Sequence, residues 1–257
     1  MSRKRLSVVP QSIIPIQQQE NFDRREKGTS VQKSSRQDYS YFPKEIAQLC
    51  TQLYLKDCTH IFDPFAGWGE RHHYCKKEGL SYTGFDINPG AIAKARETFG
   101  VDNVLANSLE ADIPVFDGFL TCPPYWNLEK YSEGGIDHSQ TWEEFIEMYT
   151  HILHRAWKAT DKGVFCIYVG DWRSDNVFYD LTYQTMKIFD GLGATLFDTV
   201  IGHRVRSKVS IMVPQALSFG YTVKVHEQLL IYRKGEYNKT VTWEDINEHH
   251  DVSDLFE

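Results

Sequence analysis

The segment 119-FLTCPPYWNL-128 closes an apolar run with two adjacent prolines and then sets two large aromatics side by side. Proline cannot donate to a sheet ladder, so a buried strand has to stop at Pro123. A turn stiffened by Pro123 and Pro124 carries carbonyl acceptors with no competing N–H donors. Followed by the ring faces of Tyr125 and Trp126, it suits a planar ligand that is stacked and hydrogen-bonded at once. A second chemical feature lies upstream, in 61-IFDPFAGWGE-70, where Gly67 and Gly69 follow a strand and open a helix. Glycines there let backbone N–H groups come close to a ligand. The next apolar run, 81-SYTGFDI-87, ends near Asp86, placed where a carboxylate accepts both hydroxyls of a ribose. Together these features call for an adenosine-containing cofactor.

Two cofactor classes compete. A dinucleotide site wants a third glycine near the helix start, for close helix–sheet packing. Here the bulky ERHHY fills that position. A ligand without a pyrophosphate tolerates such bulk, which favours S-adenosylmethionine. Asn107, at the end of 101-VDNVLAN-107, is either a bonding partner for an adenine amine or a turn former.

The elements that must carry these residues follow from hydrophobic spacing. Residues 43-PKEIAQLCTQLYL-55 place Ile46, Leu49 and Leu53 at helical intervals behind Pro43. Helices are expected over 70–79, 89–100 and 178–193, and most clearly over 141–160, where Phe145, Met148, Tyr149, Ile152 and Ala156 form one stripe. A strand leaving into a glycine turn is expected over 59–67 (THIFDPFAG), and further strands at 81–87, 101–107, 116–122, 163–170, 194–205 and 225–234. The alternation predicts an α/β layered architecture: a mostly parallel sheet of seven strands with one antiparallel strand near an edge.

Composition narrows the classes. At 257 residues and 41% hydrophobic, the chain can bury one sizeable core. No apolar run reaches the ~18 residues of a membrane span, and MSRKRLSVVPQSIIPIQQQ lacks the apolar segment of a secretory signal. Five cysteines without C-x-x-C spacing argue against a disulfide framework or structural zinc, and a cytoplasmic setting is expected. The adjacent histidine pairs 72/73 and 249/250 point to opposite sides of a helix, so no metal site is expected. A net charge of −7 excludes a general polyanion binder. Charge is uneven, however. Residues 1–38 form a basic, irregular arm in which Pro10 and Pro15 interrupt the apolar clusters, 39–235 the folded catalytic part, and 236–257 an acidic tail. The arm is either a source of local phosphate contacts or a solvated leader.

The succession FDPFAGWGE, GFDINPGAIAKAR and TCPPYWNL resembles the amino-methyltransferases that methylate exocyclic amines of nucleic-acid bases. Their fingerprint is Asp/Asn/Ser-Pro-Pro followed by an aromatic, and the Tyr-Trp form looks most like the cytosine-N4 DNA methyltransferases. Residues 42-FPKEIAQL-49 resemble the family's helix-entry motif beside the methionine moiety, and 226-HEQLLIYRKG-235 its late strand. The likeness covers about residues 40–235 and implies a Rossmann-like methyltransferase fold, α/β with helices on both faces of a mostly parallel seven-stranded sheet and one antiparallel strand. It implies a cofactor site built from Tyr41, Phe42, Pro43, Asp63, Phe65, Ala66, Gly67, Gly69, Asp86, Ile87, Asn107, Ser108 and Cys122. It also implies a transfer site of Cys122, Pro123, Pro124, Tyr125 and Trp126, acting on a base flipped from double-stranded DNA.

Cys122 departs from the fingerprint. A thiol is a weaker hydrogen-bond partner than Asp, Asn or Ser, but its shape matches serine, which favours cytosine. It precedes its prolines, unlike the nucleophile of carbon-5 cytosine enzymes, and reads as a contact rather than an attacking group. No separate target-recognition domain fits between the motifs. The loop 127–140 and the stretch 202–224 are the candidates for that task, the latter with His203, Arg204, Arg206 and Lys208 as nucleic-acid contacts or else as a solvated loop. Trp172 falls near the site with its role open. Adenine N6 in DNA, a base amine in RNA, and a non-catalytic nucleic-acid-binding scaffold are the rival readings.

Overall fold

The computed structural model describes residues 10–17, 42–127, 134–205 and 209–235, with backbone only at 209–212. In chain order the elements are β1 (Ile13–Ile16), α1 (Lys44–Leu49), which widens into a π-helical turn over Cys50–Tyr54, β2 (His60–Asp63), α2 (Glu70–Lys77), β3 (Ser81–Asp86), α3 (Pro89–Phe99), β4 (Val104–Leu105) and β5 (Gly118–Thr121). There follow α4 (Trp142–Lys158), β6 (Gly163–Val169), β7 (Trp172–Ser174), β8 (Val177–Tyr179), α5 (Leu181–Gly191), β9 (Thr195–Arg204), α6 (Val209–Phe219) and β10 (His226–Lys234).

Eight strands form one sheet in the order β1-β9-β10-β6-β5-β2-β3-β4, while β7 and β8 make a separate hairpin. Only β10 runs antiparallel, to both β6 and β9, and every other pairing in the sheet is parallel. The mostly parallel sheet with one antiparallel strand is as expected. From β2 the chain moves outward through β3 and β4, then returns to β5 on the other side of β2. The order therefore reverses between β2 and β5, and open α/β sheets bind ligands beyond the strand ends at such a point.

Central strands are apolar on both faces because both are covered. On β6, Phe165, Ile167 and Val169 pack with Phe145, Tyr149 and Ile152 of α4 and Phe189 of α5. The alternate residues Val164, Cys166 and Tyr168 pack on the other face, with Ile46 and Leu49 of α1. The expected α4 stripe is buried at Phe145, Tyr149, Ile152 and Ala156, with Met148 at its margin.

Three elements differ from the sequence reading. The eighth strand is β1, which lies in the N-terminal arm. The carbonyls of Ser12 and Ile16 accept from Ile201 and Val205, so the even-numbered residues face β9 and Pro15 turns its donorless nitrogen to the open edge. An edge strand tolerates proline there, and Ile14 and Ile16 are buried beneath it. Residues 178 and 179, read as the start of a helix, belong to β8 (Val177–Tyr179), and α5 starts only at Leu181. Finally, part of 202–224 is the helix α6, with Pro214 inside it. Among the described residues no helix is long and apolar enough to cross a membrane.

Candidate active site

A cleft opens over the carboxyl ends of β2, β3, β4 and β5. Each strand end contributes a short loop. Asp63 closes β2 and is fully buried, so its carboxylate must find its partners inside the protein. It accepts from Thr121 Oγ1 (2.6 Å), the Phe65 amide (3.0 Å), Tyr82 Oη (2.7 Å) and Arg71 Nε (2.5 Å). Arg71 also donates to the Phe65 carbonyl. Burial alone would lower the Arg71 pKa, but the adjoining Asp63 carboxylate more than reverses this and keeps the guanidinium charged. Asp63 therefore ties β2, β3, β5 and α2 together and does not line the cleft. It was expected among the cofactor residues; in the structure its four accepted hydrogen bonds hold the loops together.

The two glycines divide the work. Gly67, at φ +55°, lines the cleft and donates its N–H to Asp86 Oδ2 at 2.8 Å. Gly69, at φ +92°, packs against α3, where an added Cβ would lie 2.7 Å from Ala95 Cβ. Gly69 and Ala66 were expected at the cofactor, but neither lines the cleft. Gly69 supplies the close helix packing that the sequence seemed to lack.

Asp86 is held by the Gly67 and Asn88 amides, each at 2.8 Å, which leaves lone pairs on both carboxylate oxygens facing the cleft. Burial raises its pKa, and those two N–H bonds pull the other way. Asn88 caps α3 through the Gly90 amide at 2.8 Å. Beyond β4, Asn107 accepts from the Leu109 amide at 3.0 Å and also lines the cleft, so the turn role and the ligand-facing position coexist. Ser108 Oγ bonds the Pro64 carbonyl at 2.7 Å, and Arg155 of α4 donates to the Ser108 and Ala111 carbonyls at 2.5 and 2.7 Å. These bonds fix the β4 loop beside the glycine turn. Phe42, Pro43, Phe65 and Ile87 line the cleft as well, while Tyr41 falls outside the described residues.

After β5, Cys122, Pro123, Pro124 and Tyr125 all line the same cleft. The Tyr125 ring stands edge-on to Trp172 at 5.1 Å, and the Trp172 indole donates to Asn127 Oδ1 at 3.3 Å. Trp172 thus braces Tyr125 from beneath. Trp126 does not wall the pocket as expected. Its indole donates to the Ser139 carbonyl at 2.9 Å, and its ring packs with Trp142 and Tyr179.

Tyr168, Arg204 and Glu227 complete the lining on this side. Arg204 and Glu227 form an ion pair at 2.5 Å. Gly170 makes room for it: a Cβ there would sit 2.7 Å from Glu227 Cγ and 3.4 Å from Tyr125 Oη. Burial and the nearby Glu227 raise the pKa of the Tyr168 phenol, which stays protonated. His203 is exposed and borders a shallow groove beside α6, while Arg206 and Lys208 lie outside the described residues. Sequence reasoning missed Glu70, Arg71, Asp137, Tyr168 and Glu227 as lining residues. The only signals for them were the position of Glu70 straight after Gly69 and the His-Glu opening of the last strand. Among the described residues no group of three or more His, Cys, Asp and Glu is arranged to hold a metal ion.

The reversal of strand order between β2 and β5, the antiparallel β10 and a cleft over the strand ends define a Rossmann-like methyltransferase fold. Among solved structures, the N-methyltransferase NodS from Bradyrhizobium japonicum WM9 matches with a TM-score of 0.51 at 13% identity, over 75% of this chain and 96% of that one. The 1,6-didemethyltoxoflavin-N1-methyltransferase of Burkholderia thailandensis matches with a TM-score of 0.45 at 17% identity, over 75% of this chain and 78% of that one. At these identities the likeness establishes the fold alone. No protein-family model matches the chain, and no curated protein matches it in sequence.

Proposed function

We propose that the protein transfers a methyl group from S-adenosylmethionine to the exocyclic amine of a base flipped out of double-stranded DNA, with cytosine N4 the preferred acceptor. One observation carries the reading: the Asp86 carboxylate and the Cys122–Tyr125 turn line one continuous cleft. An adenosine held by its ribose at Asp86 has its far end beside that turn. Several neighbours bear on the cofactor: NodS has been crystallised with S-adenosylhomocysteine, and so has the toxoflavin enzyme.

S-adenosylmethionine, when bound, supplies an electrophilic methyl carried on a sulfonium. The chain has to make a poor nucleophile attack it. A base amine is poor because its lone pair is delocalised into the ring. Carbonyl acceptors at Cys122 and Pro123 draw the amine hydrogens out of plane, so the nitrogen recovers its lone pair as it attacks. With the donor bound, the N–C bond would form as the S–C bond breaks, S-adenosylhomocysteine would leave, and the surplus amine proton would pass to solvent water. The Tyr125 face stacks the extruded base, with Trp172 fixing its tilt. Arg204, 47% exposed and paired with Glu227 through one terminal nitrogen, offers its other N–H donors to the base or its phosphate. The serine-like shape of Cys122 favours cytosine over adenine.

Tritiated methyl transfer to DNA and RNA, followed by nucleoside separation, tests this directly. Label in N4-methylcytosine from DNA is expected. Label in N6-methyladenine would move the preferred base, label confined to RNA would change the substrate, and binding of DNA with no label in either would leave a scaffold.

A further inference from the structure

Glu70 opens α2 and is only 5% exposed, yet it stands in the cleft wall. Its Oε1 is buried and has no hydrogen-bond partner among the described residues. A carboxylate placed this way keeps an unmet need for a donor. Within the protein the obvious cation is already engaged: Arg71 gives its Nε to Asp63 and a second nitrogen to the Phe65 carbonyl. Tyr74, one turn along α2, offers no charge, since burial and the Glu45 and Glu70 carboxylates raise its pKa. Burial lifts the Glu70 pKa to about 7, with its own backbone N–H and Arg71 opposing.

The position also decides the sign of the ligand. A helix N-terminus ordinarily attracts anions such as phosphate, but here a carboxylate already occupies it. A phosphate would meet like charge. A cation with N–H donors would meet an orphaned acceptor. The Arg71 guanidinium stacks over the Phe42 ring at 4.9 Å, which places Phe42 and Pro43 at this same end of the cleft.

The geometry points to Glu70 as the counter-ion and hydrogen-bond acceptor for the α-ammonium group of the donor's amino-acid end. The inference rests on the S-adenosylmethionine reading. An ammonium rather than the sulfonium is chosen because an ammonium has three donors to give and a sulfonium has none. Burying a cation against Glu70 ionises it, so donor binding below about pH 7 releases a proton to solvent.

Isothermal titration calorimetry with the full chain and three probes separates the outcomes. These are S-adenosylmethionine, S-adenosylhomocysteine, and 5′-methylthioadenosine, which keeps the adenosine and lacks the amino acid. Glu70→Gln is expected to weaken the first two alike, by ~10-fold or more, and to leave methylthioadenosine within about twofold. In the wild type at pH 6.5, the binding heat for S-adenosylmethionine is expected to vary with buffer ionisation enthalpy, reporting the released proton. Glu70→Asp should recover part of the loss. Equal weakening of methylthioadenosine, weakening of S-adenosylmethionine alone, or no proton release from the wild type overturns the assignment. A wild type that binds S-adenosylmethionine, with Glu70→Gln unchanged, removes this inference alone. A wild type that binds none of the probes removes the donor reading with it.

Discussion

Tyr125 and Trp126 are neighbours in sequence and opposites in the fold. The chain turns at Trp126 and Asn127, with Asn127 at φ +54°, and the two rings part there. Tyr125 faces it and Trp126 joins the Trp142–Tyr179 packing. Tyr125→Ala is therefore expected to keep S-adenosylmethionine affinity within about twofold while lowering base methylation by ~100-fold or more, since base stacking contributes about 1–3 kcal/mol and orientation adds to it. Donor binding and single-turnover transfer check both halves. Cys122 lines the cleft at the turn. Cys122→Ser should match or exceed the wild-type rate, because a hydroxyl is the stronger hydrogen-bond partner. A rate falling to background in that variant would make the sulfur a nucleophile instead.

At the scale of elements, the loops keep their shape through one buried carboxylate. Asp63 gathers bonds from β3, β5, α2 and its own turn. Removing one charge from a buried pair leaves the other without compensation, at about 3–5 kcal/mol. Asp63→Asn is expected to lose stability on that order in urea unfolding. Donor affinity should survive wherever the variant is still folded, which a direct cofactor contact would not allow. The spacing of Gly67, Gly69, Asp86 and the Pro-Pro pair was legible because each obeys a local rule of turn or strand end. The identity of Asp63 as a hub was not, since its partners Thr121 and Tyr82 come from distant parts of the chain. Likewise β1 hides in sequence: Pro15 reads as a breaker until the strand is known to be an edge.

For the whole molecule, a raised acid pKa has a consequence for stability against pH. Below the ordinary glutamate range Glu70 is protonated in both the folded and the unfolded chain and contributes nothing. As pH rises from there to about 7, the unfolded chain ionises first, so the folded state loses ground, and the loss levels off above 7. Without donor, Glu70→Gln should thus gain stability relative to the wild type between about pH 5 and 7.5. Thermal melts of both proteins across that range check the sign. A parallel pair of curves would mean that Glu70 is as well solvated folded as unfolded.

Sequence alone determined the layered α/β architecture, the mostly parallel sheet and the two turns that border the cleft. Those depend on hydrophobic period and on glycine and proline, whose backbone limits act within a few residues. Tertiary structure alone decided which side chain of each turn looks into the cleft, and that Arg204, Glu227 and Tyr168 join them there. It also decided that Asp63 and Gly69 serve the scaffold. Orientation and partnership are set by what packs behind a residue, and in this fold what packs there comes from elsewhere in the chain.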